Sequence, residues 1–570
     1  MPRFSIRFGS RILFGRRLVS LPGAGLTRLA VPLIVVAALA IGISGCGRSS
    51  VPAAEVAKEI QSRLAASAGH PPKVRGQRIL EAGPSERFYQ ARKFKPAWSG
   101  KGAREKIVNA IRDIDQDGLT PADYHLEAIQ SLLKEGSADR TALAAAELDL
   151  LLTDAIAAMI DHARYGRVRP VSLDPHWNVN PREGADPLEK ELAAIAGAHS
   201  ADDAIQSAKP QHFIYQGLVE ALARLRKTEA DGGWPTIPQG KPIKPGENDP
   251  RLAAIRTRLA ATGELGSGKT SEPERYDPEL EKAVKLFQQR HRLDDNGIID
   301  KDLVDAMNVS VRERIAQTRV NLERARWVLN GLEDDFLLVN LPAYKAYLIR
   351  GGKNVWEART QIGKEARQTP AFRSDLSTIV FNPDWTVPPT ILAEDVLDGM
   401  RKGENMIAKK RLVILDKENH EVDPASINWN KATPANFDYT LRQPPGEGAA
   451  LGRVKFLFPN AYSIYLHDTP SRDFFEAETR TFSSGCIRLE HPLELAERLL
   501  AGQPGWSPAK IQQVVDEGST TTVNLSHTLP VLIVYWTVSV GASGEIRYMR
   551  DIYGLDAPVL AALDAPLRST

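Results

Sequence analysis

The chain of 570 residues is too long for one domain, and its 73 Lys and Arg nearly balance its 71 Asp and Glu. No basic tail or block indicates a nucleic-acid partner. Two cysteines, Cys46 and Cys486, are too few for a disulfide framework or a four-cysteine zinc site.

The N-terminus has the layout of a secretory signal. Residues 1–28 contain six arginines and no acid, and the 17 residues 29–45 form an uncharged apolar run. The run leads into Ile-Ser-Gly-Cys46, which resembles the lipobox of bacterial lipoproteins, so residues 1–46 are predicted as a lipoprotein-type signal with Cys46 lipidated. The alternative is an uncleaved membrane anchor, because the run is just long enough to span a bilayer. Either interpretation predicts a membrane-attached periplasmic protein.

The next segments are predicted as a tether and a helical domain. Residues 47–84 are rich in Ala, Ser, Pro and charge and have weak periodicity, which favours a tether. Residues 85–230 are mostly helical, and the strongest pattern is an Ala- and Leu-rich run at 138–163. This region is predicted as a scaffold domain.

A small helical unit follows a Gly- and Pro-rich linker at 231–250. Within residues 251–310, Asp277 and Pro278 are typical of a helix start. The stretch AVKLFQQRHRLDDNGIID resembles the peptidoglycan-binding-like module of many wall enzymes, and the alternative is an ordinary three-helix packing domain. Residues 311–332 are predicted as a connecting helix.

Residues 333–555 are predicted as a mostly β domain. Alternating apolar residues indicate strands from Phe336 onward, and residues 391–440 interrupt them with helical and polar sequence. Trp385 lies in a rigid Pro-containing loop, where it is either a core residue or a wall of a cleft. The remaining predictions are a buried strand at 530–540 that closes the sheet and a C-terminal tail at 556–570.

The stretch from Asn460 to Pro492 carries the chemistry. Alternating apolar residues predict a strand that ends at His467, and Cys486 lies just before a predicted helix. An imidazole near a thiol can take its proton and leave a thiolate, a strong nucleophile toward acyl carbonyls. Gly485 lets the backbone approach a substrate, and amides near Cys486 could face a developing oxyanion. Arg488 could bind a carboxylate with paired hydrogen bonds.

The motif HDTP, followed by SSGCIR with the histidine 19 positions before the cysteine, resembles the catalytic motif of L,D-transpeptidases with a YkuD-type domain. The large Gram-negative YcbB-like branch matches best, because Ser484 stands where most YkuD domains have a histidine. The resemblance runs from about Phe88 to Leu555. It implies a multi-domain α+β fold with a helical scaffold, a small peptidoglycan-binding-like module and a mostly β catalytic domain whose insertion caps the cleft.

The resemblance also implies a reaction. The donor would be a tetrapeptide stem of peptidoglycan, attacked by Cys486 at the L-centre of its third residue, with D-alanine leaving and a 3-3 cross-link formed by a neighbouring stem. His467 would be the base and then the acid, and the amides of Gly485 and Cys486 would hold the oxyanion. Substrate contacts are expected from Tyr465, Ser484, Arg488 and Trp385, with no metal or cofactor.

Three alternatives remain open. The same thioester could pass to water, as in an L,D-carboxypeptidase, or to another acceptor such as an envelope protein. A different class is a non-catalytic lipoprotein that binds peptidoglycan and tethers the envelope to the wall. The presence of both His467 and Cys486 argues against this third alternative.

Overall fold

The computed structural model describes residues 51–65, 72–175, 177–179, 187–197, 200–541 and 544–567. The predicted signal and its Cys46 lie outside these described residues. Within the described ranges, no helix has both the length and the apolar character needed to cross a bilayer.

The N-terminal part is helical, as predicted, and is organised around one long helix. Its elements are α1 (Ala53–Ala65), β1 (Lys73–Val74), β2 (Gln77–Arg78), α2 (Ala82–Ala91), α3 (Lys101–Asp113), α4 (Leu126–Glu135), α5 (Ala142–Tyr165), α6 (Leu188–Gly197), α7 (Ala201–Ala208) and α8 (Phe213–Ala230). Helix α5 is almost wholly buried, because its Ala- and Leu-rich sequence favours helix and offers apolar surface all round. Its buried Asp154 accepts hydrogen bonds from the amides of Leu80 and Glu81 at 2.8 and 2.7 Å and lies 2.6 Å from His125 Nε2. The carboxylate thereby fixes the start of α2 to the core.

The tether predicted at 47–84 is wrong for the described residues of that range. Helix α1 buries Val56, Ile60 and Leu64 in the same core as α5. These three residues recur every four positions, which is the spacing of one helix face. The side chain of Arg63 also pairs with Glu147 of α5 at 2.7 Å.

The small module has three helices, α9 (Leu252–Ala261), α10 (Pro278–Arg290) and α11 (Lys301–Asn308). The predicted helix start is confirmed, since Asp277 accepts a hydrogen bond from the amide of Leu280 at 2.8 Å. The preceding segment 231–250 is not a free linker. Ile237 and Ile243 are buried in the module's core, and the backbone of Ile243 bridges to Ile299.

Helix α12 (Val311–Leu329) does more than connect two domains. It packs against α8 on one side and against strands of the β domain on another, and all three contribute to one hydrophobic cluster. The predicted C-terminal tail also joins this cluster, as helix α18 (Asp556–Asp564), which buries Val559 and Leu563. Apolar residues four apart on one helix face explain why this segment is not a loose tail.

The β domain is a closed ring of strands. The ring strands are β3 (Phe336–Asn340), β4 (Lys345–Arg350), β5 (Lys353–Gly363), β6 (Phe372–Phe381), β10 (Val454–Leu457), β11 (Leu466–His467), β13 (Ile487–Leu489) and β14 (Thr521–Val534). They pair in the order β5-β13-β11-β10-β6-β14-β3-β4, and β4 pairs back with β5. The short strand β12 (Thr481–Ser483) runs parallel to the end of β5, and α16 (Pro492–Leu500) and α17 (Pro508–Glu517) contribute to the ring's core. The predicted α+β architecture is confirmed.

Two predicted strands differ from the structure. The strand predicted at 530–540 starts earlier, because β14 runs from Thr521 to Val534 between β6 and β3, and the chain then forms a separate hairpin of β15 (Val538–Val540) and β16 (Ile546–Tyr548). The strand predicted from Tyr462 shrinks to β11. Ser463 has a φ of +57°, a left-handed conformation that interrupts an extended strand.

The insertion folds as a small unit beside the ring. It comprises β7 (Trp385–Thr386), α13 (Pro389–Ile391), a π-helical turn (Leu392–Leu397), α14 (Asp398–Arg401), α15 (Met406–Lys409), β8 (Val413–Leu415) and β9 (Thr440–Gln443). Strand β9 pairs with both β7 and β8. The unit has its own hydrophobic cluster, which includes Trp385, Val396 and Leu441.

Candidate active site

Four of the predicted site residues share one face of a parallel strand pair. In β11 and β13, Leu466 faces Ile487 and His467 faces Arg488. Leu466 and Ile487 are fully buried in the core of the ring. Because side chains alternate along a strand, Tyr465, His467, Cys486 and Arg488 lie on the opposite face. All four line one cleft of about 710 Å³.

A tight turn between β12 and β13 presents the thiol. Gly485 has a φ of +116°, which a side chain would strain, and an added Cβ would lie 3.1 Å from Ile464 Cδ1. The Thr369 hydroxyl donates to the Gly485 carbonyl at 2.7 Å, and the Ser483 hydroxyl donates to the Cys486 carbonyl at 2.6 Å. The half-buried Cys486 is therefore held on both sides by hydroxyl groups.

One predicted oxyanion donor is already in use. The Gly485 N–H donates to Ser483 Oγ at 3.0 Å. A donor that is bonded within the turn is not free to meet a developing negative charge, so the predicted oxyanion role of the Gly485 amide is corrected. The amide of Cys486 stays a predicted donor.

His467 is buried and oriented through its backbone neighbour. Its Nδ1–H donates to the carbonyl of Asp468, since a carbonyl can only accept. This bond fixes the tautomer and leaves Nε2 as the acceptor. Burial, followed by the positive charges of Arg488 and Lys455, lowers the pKa of His467 to about 3.

The thiol and the imidazole both rest in their neutral forms at neutral pH. Burial raises the pKa of Cys486, and this effect outweighs the opposing hydrogen bonds from Tyr465 and the charge of Arg488. A resting thiolate–imidazolium pair is thereby disfavoured. Proton transfer from sulfur to nitrogen would accompany attack on a carbonyl, as in general-base catalysis.

The carboxylate of Asp468 holds the segment that orients His467. It accepts hydrogen bonds from the amides of Arg453 and Thr469 at 2.8 and 2.7 Å, and it pairs with Arg472 at 2.5 Å. Gly452 has a φ of +60°, and an added Cβ there would lie only 2.3 Å from Asp468 Oδ2. The glycine thus makes room for the carboxylate.

We expect Gly452→Ala to impair both stability and activity. The left-handed backbone alone costs about 1 kcal/mol, and displacement of Asp468 moves the carbonyl that binds His467. A misplacement of this kind should lower kcat about tenfold to a hundredfold. Gly518→Ala is the matched control, because Gly518 has a similar φ of +69° and open space around it. Thermal unfolding and kcat should separate the two variants, and equal losses would contradict the role given to the clash.

Arg488 is partly buried and oriented by Gln361. Its Nη1 donates to Gln361 Oε1 at 3.1 Å, and burial lowers the pKa of its guanidinium. Its Nε is buried and has no hydrogen-bond partner within the described part of the chain. Contact with a substrate carboxylate stays a prediction for this residue.

Ser484 joins the nucleophile turn to the insertion. Its hydroxyl accepts a hydrogen bond from Arg367 Nη1 at 2.9 Å, and Arg367 also pairs with Asp395 at 2.9 Å and with Glu394. The Ser484 hydroxyl is therefore engaged by the protein. Contact of Ser484 with the substrate stays a prediction. It requires the hydroxyl to keep its bond to Arg367 while it binds the substrate.

The insertion forms one wall of the cleft. Trp385 belongs to the insertion's hydrophobic cluster and also lines the cleft, so both predicted roles fit its position. The wall is basic. Lys364, Arg367, Lys409, Lys410 and Arg488 line the cleft against one acidic residue, Asp395. A net positive lining favours an anionic substrate.

Several residues of the site escaped sequence reasoning. The hydroxyls of Thr369 and Ser483 bond to the backbone carbonyls of Gly485 and Cys486, and the backbone carbonyl of Asp468 accepts from the His467 imidazole. Asp468 is part of the HDTP motif, and this motif is the one sequence signal that points to any of these three residues. The described residues contain no group of three or more His, Cys, Asp or Glu suited to a metal ion.

Three segments of the chain match known protein families. Residues 334–515 match the family described as an L,D-transpeptidase catalytic domain, YkuD. Residues 85–222 match a scaffold domain, and residues 248–307 match a "Putative peptidoglycan binding domain".

A curated relative from Haemophilus influenzae, named "Putative L,D-transpeptidase", is 38% identical over 223 residues. The match spans 39% of this chain and 45% of that protein, so it covers less than half of the relative's length.

Two solved structures resemble parts of the chain at 12% identity. The L,D-transpeptidase from Mycobacterium smegmatis has a TM-score of 0.16 and covers 36% of this chain and 64% of its own. The L,D-transpeptidase from Xylanimonas cellulosilytica has the same TM-score and covers 52% and 99%.

Proposed function

Since residues 334–515 carry an L,D-transpeptidase catalytic domain of the YkuD family, we propose that the protein forms 3-3 cross-links in peptidoglycan through a thioester on Cys486. The observation that carries the proposal is the shared strand face of Tyr465, His467, Cys486 and Arg488 in one basic cleft. Assignment to the YcbB-like branch is part of the same proposal.

The proposed reaction has two acyl transfers. The sulfur of Cys486 attacks the carbonyl carbon at the L-centre of the third stem residue while Nε2 of His467 takes the thiol proton. The tetrahedral intermediate collapses, His467 returns the proton to the departing amine, and D-alanine leaves. The side-chain amine of a second stem then attacks the thioester and loses a proton to His467, and the thiol regains that proton as the amide forms.

The Cys486 amide and the charge of Arg488 support this route. A backbone N–H beside the nucleophile can meet the developing oxyanion. Arg488 lies across from His467 on the same face, where it can hold a carboxylate of the stem. No cofactor is required, because the reaction transfers an acyl group without redox change.

Analysis of products tests the proposal. The purified protein should convert tetrapeptide-bearing muropeptides to dimers that are lighter than two monomers by one alanine, detected by mass spectrometry. Tripeptide monomers without dimers would support the carboxypeptidase alternative. Binding without any change in mass would support the non-catalytic alternative.

We expect Lys410→Gln to weaken the donor's binding. Lys410 is half-buried on the cleft wall, and no carboxylate of the described chain lies within 4 Å of its ammonium group. Loss of one partly exposed charge pair should raise KM about threefold to fivefold and leave kcat nearly unchanged. Lys417→Gln is the control, because Lys417 is 71% exposed and pairs with Asp438. An unchanged KM in Lys410→Gln would remove this residue from donor recognition.

We also propose attachment to the membrane through lipid on Cys46, with the remaining chain in the periplasm. Labelled palmitate should enter the wild type and not Cys46→Ser. A protein that stays in membranes without label would favour the uncleaved anchor.

A further inference from the structure

A second cavity shares no lining residue with the Cys486 cleft and lies where four parts of the protein meet. This junction cavity of about 470 Å³ is lined by residues of α8, α12, the small module and the β15–β16 hairpin. Four arginines line it, Arg224, Arg258, Arg290 and Arg314, against two acidic residues, Glu264 and Glu545. Both acids are already paired, Glu264 with Arg290 at 2.6 Å and Glu545 with Arg547 at 2.8 Å.

Arg258 is the most deeply buried of these arginines. Only 1% of its surface is exposed, and its guanidinium lies 3.9 Å from the centre of the Trp234 ring. Its Nε donates to the Met307 carbonyl at 2.9 Å and its Nη1 donates to the Thr262 hydroxyl at 2.8 Å. Within the described ranges, no carboxylate oxygen lies within 4 Å of its nitrogens.

Arg314 reaches the same cavity from α12. It is 6% exposed and lies 4.5 Å from the centre of the Tyr548 ring. Its Nη1 donates to Gln317 Oε1 at 2.8 Å, and its Nε is buried without a partner. The part of the chain that the structure describes places no carboxylate within 4 Å of this guanidinium either.

Two buried guanidiniums without carboxylates in contact are costly, because burial removes water and the nearest acids, Glu264 for Arg258 and Glu313 for Arg314, offset the loss only in part. Burial lowers the pKa of both arginines to about 10, which leaves them charged at neutral pH. Aromatic rings and neutral oxygens compensate only in part. An anion in the cavity would supply the missing charge.

We propose that the junction cavity is a binding site for an oxyanion, a carboxylate or phosphate group, borne by a polymer of the cell envelope. Guanidinium groups bind such groups with paired, charge-assisted hydrogen bonds. The small module contributes Arg258 and Arg290, so binding there would engage both the module and the rest of the protein. The site requires no catalysis and stands apart from the Cys486 cleft.

The test measures binding to the full chain. Inorganic phosphate and acetate present the two kinds of oxyanion without the stem peptide that the Cys486 cleft is proposed to bind, and they are titrated by calorimetry with sodium chloride at equal ionic strength as reference. Saturable binding and a raised Tm with either probe are expected, and which probe binds identifies the source of the anion. Failure of both probes to exceed chloride overturns the proposal.

Matched variants locate the site. Arg314→Gln should weaken binding at least about tenfold, as for loss of a charge-assisted hydrogen bond, whereas Arg312→Gln, on the same helix and 85% exposed, should leave it unchanged. Thr228→Glu adds a carboxylate to the cavity wall and should also abolish binding. This second variant covers the case in which Arg314→Gln does not fold. Undiminished binding in a folded Arg314→Gln or Thr228→Glu protein would overturn the proposal.

Discussion

Replacement of Cys486 by alanine should reduce turnover to background, a loss of at least about 10⁴-fold. The thiol is the only one that the described residues contain, and the nearby hydroxyls of Ser483 and Thr369 are bonded to backbone carbonyls. The substitution removes one half-buried sulfur atom. The bonds of Thr369 and Ser483 that shape the turn do not involve that atom, and the sulfur makes only one long bond, to the Ser463 carbonyl at 3.8 Å, so Tm should change little.

Intact-protein mass spectrometry can identify the nucleophile directly. Incubation with a carbapenem should add the mass of one drug molecule to the wild type, on the peptide that contains Cys486, and none to Cys486→Ala. A thiol activated by a general base should open a strained lactam as it attacks a peptide carbonyl. Cys46→Ser is the control and should keep the adduct. An adduct on another peptide, in a protein that turns over, would contradict the assignment of Cys486.

The sequence predicts His467 and Cys486 as the reacting residues but does not predict how they are arranged in space. His467 and Cys486 stand 19 positions apart, and only the parallel register of β11 and β13 shows that they share a face. Parallel pairing between short strands depends on the rest of the ring, so the local sequence of β11 and β13 does not predict it. The motif predicts the residue types of the site, whereas their common face depends on the strand register.

The wrong predictions have different physical origins. Composition favours a tether for the segment with Val56, Ile60 and Leu64, although the spacing of these residues marks a helix face. Gly485 was expected to offer its amide, yet the hydroxyl of Ser483, two residues earlier, takes it. A competing local partner of this kind is visible only once the turn is folded.

The charges around the cleft could not be predicted from the sequence either. The chain as a whole carries a formal net charge of only +2. Lys364 precedes the insertion, Lys410 lies within it and Arg488 follows it, and folding brings all three to one cleft. Lys455 faces His467 across β10 and β11. Positive charge at this site therefore depends on tertiary structure.

His467→Ala should lower kcat about a hundredfold or more, which is the usual contribution of a general base. The side chain is buried beside Tyr465, with ring centres 5.6 Å apart, and in the proposed mechanism it is the group that accepts the thiol proton. His491→Ala is the control, because His491 is 49% exposed at the start of α16. A His467→Ala protein as fast as the parent would mean that another group is the base.

The acid limb of the pH profile of kcat/KM should reflect the lowered pKa of the buried His467 imidazole. A base acts only when unprotonated, and a pKa lowered from 6.5 to about 3 keeps His467 neutral at acid pH. The rate should therefore stay level as the pH falls through 6.5 and decline only toward the lower value. Lys455→Gln removes one of the positive charges that disfavour the imidazolium, so its acid limb should move to higher pH, whereas Lys417→Gln, at a lysine that is 71% exposed, should not shift it. A wild-type limb near 6.5, unmoved in Lys455→Gln, would show that the imidazole is hydrated and that these charges do not reach it.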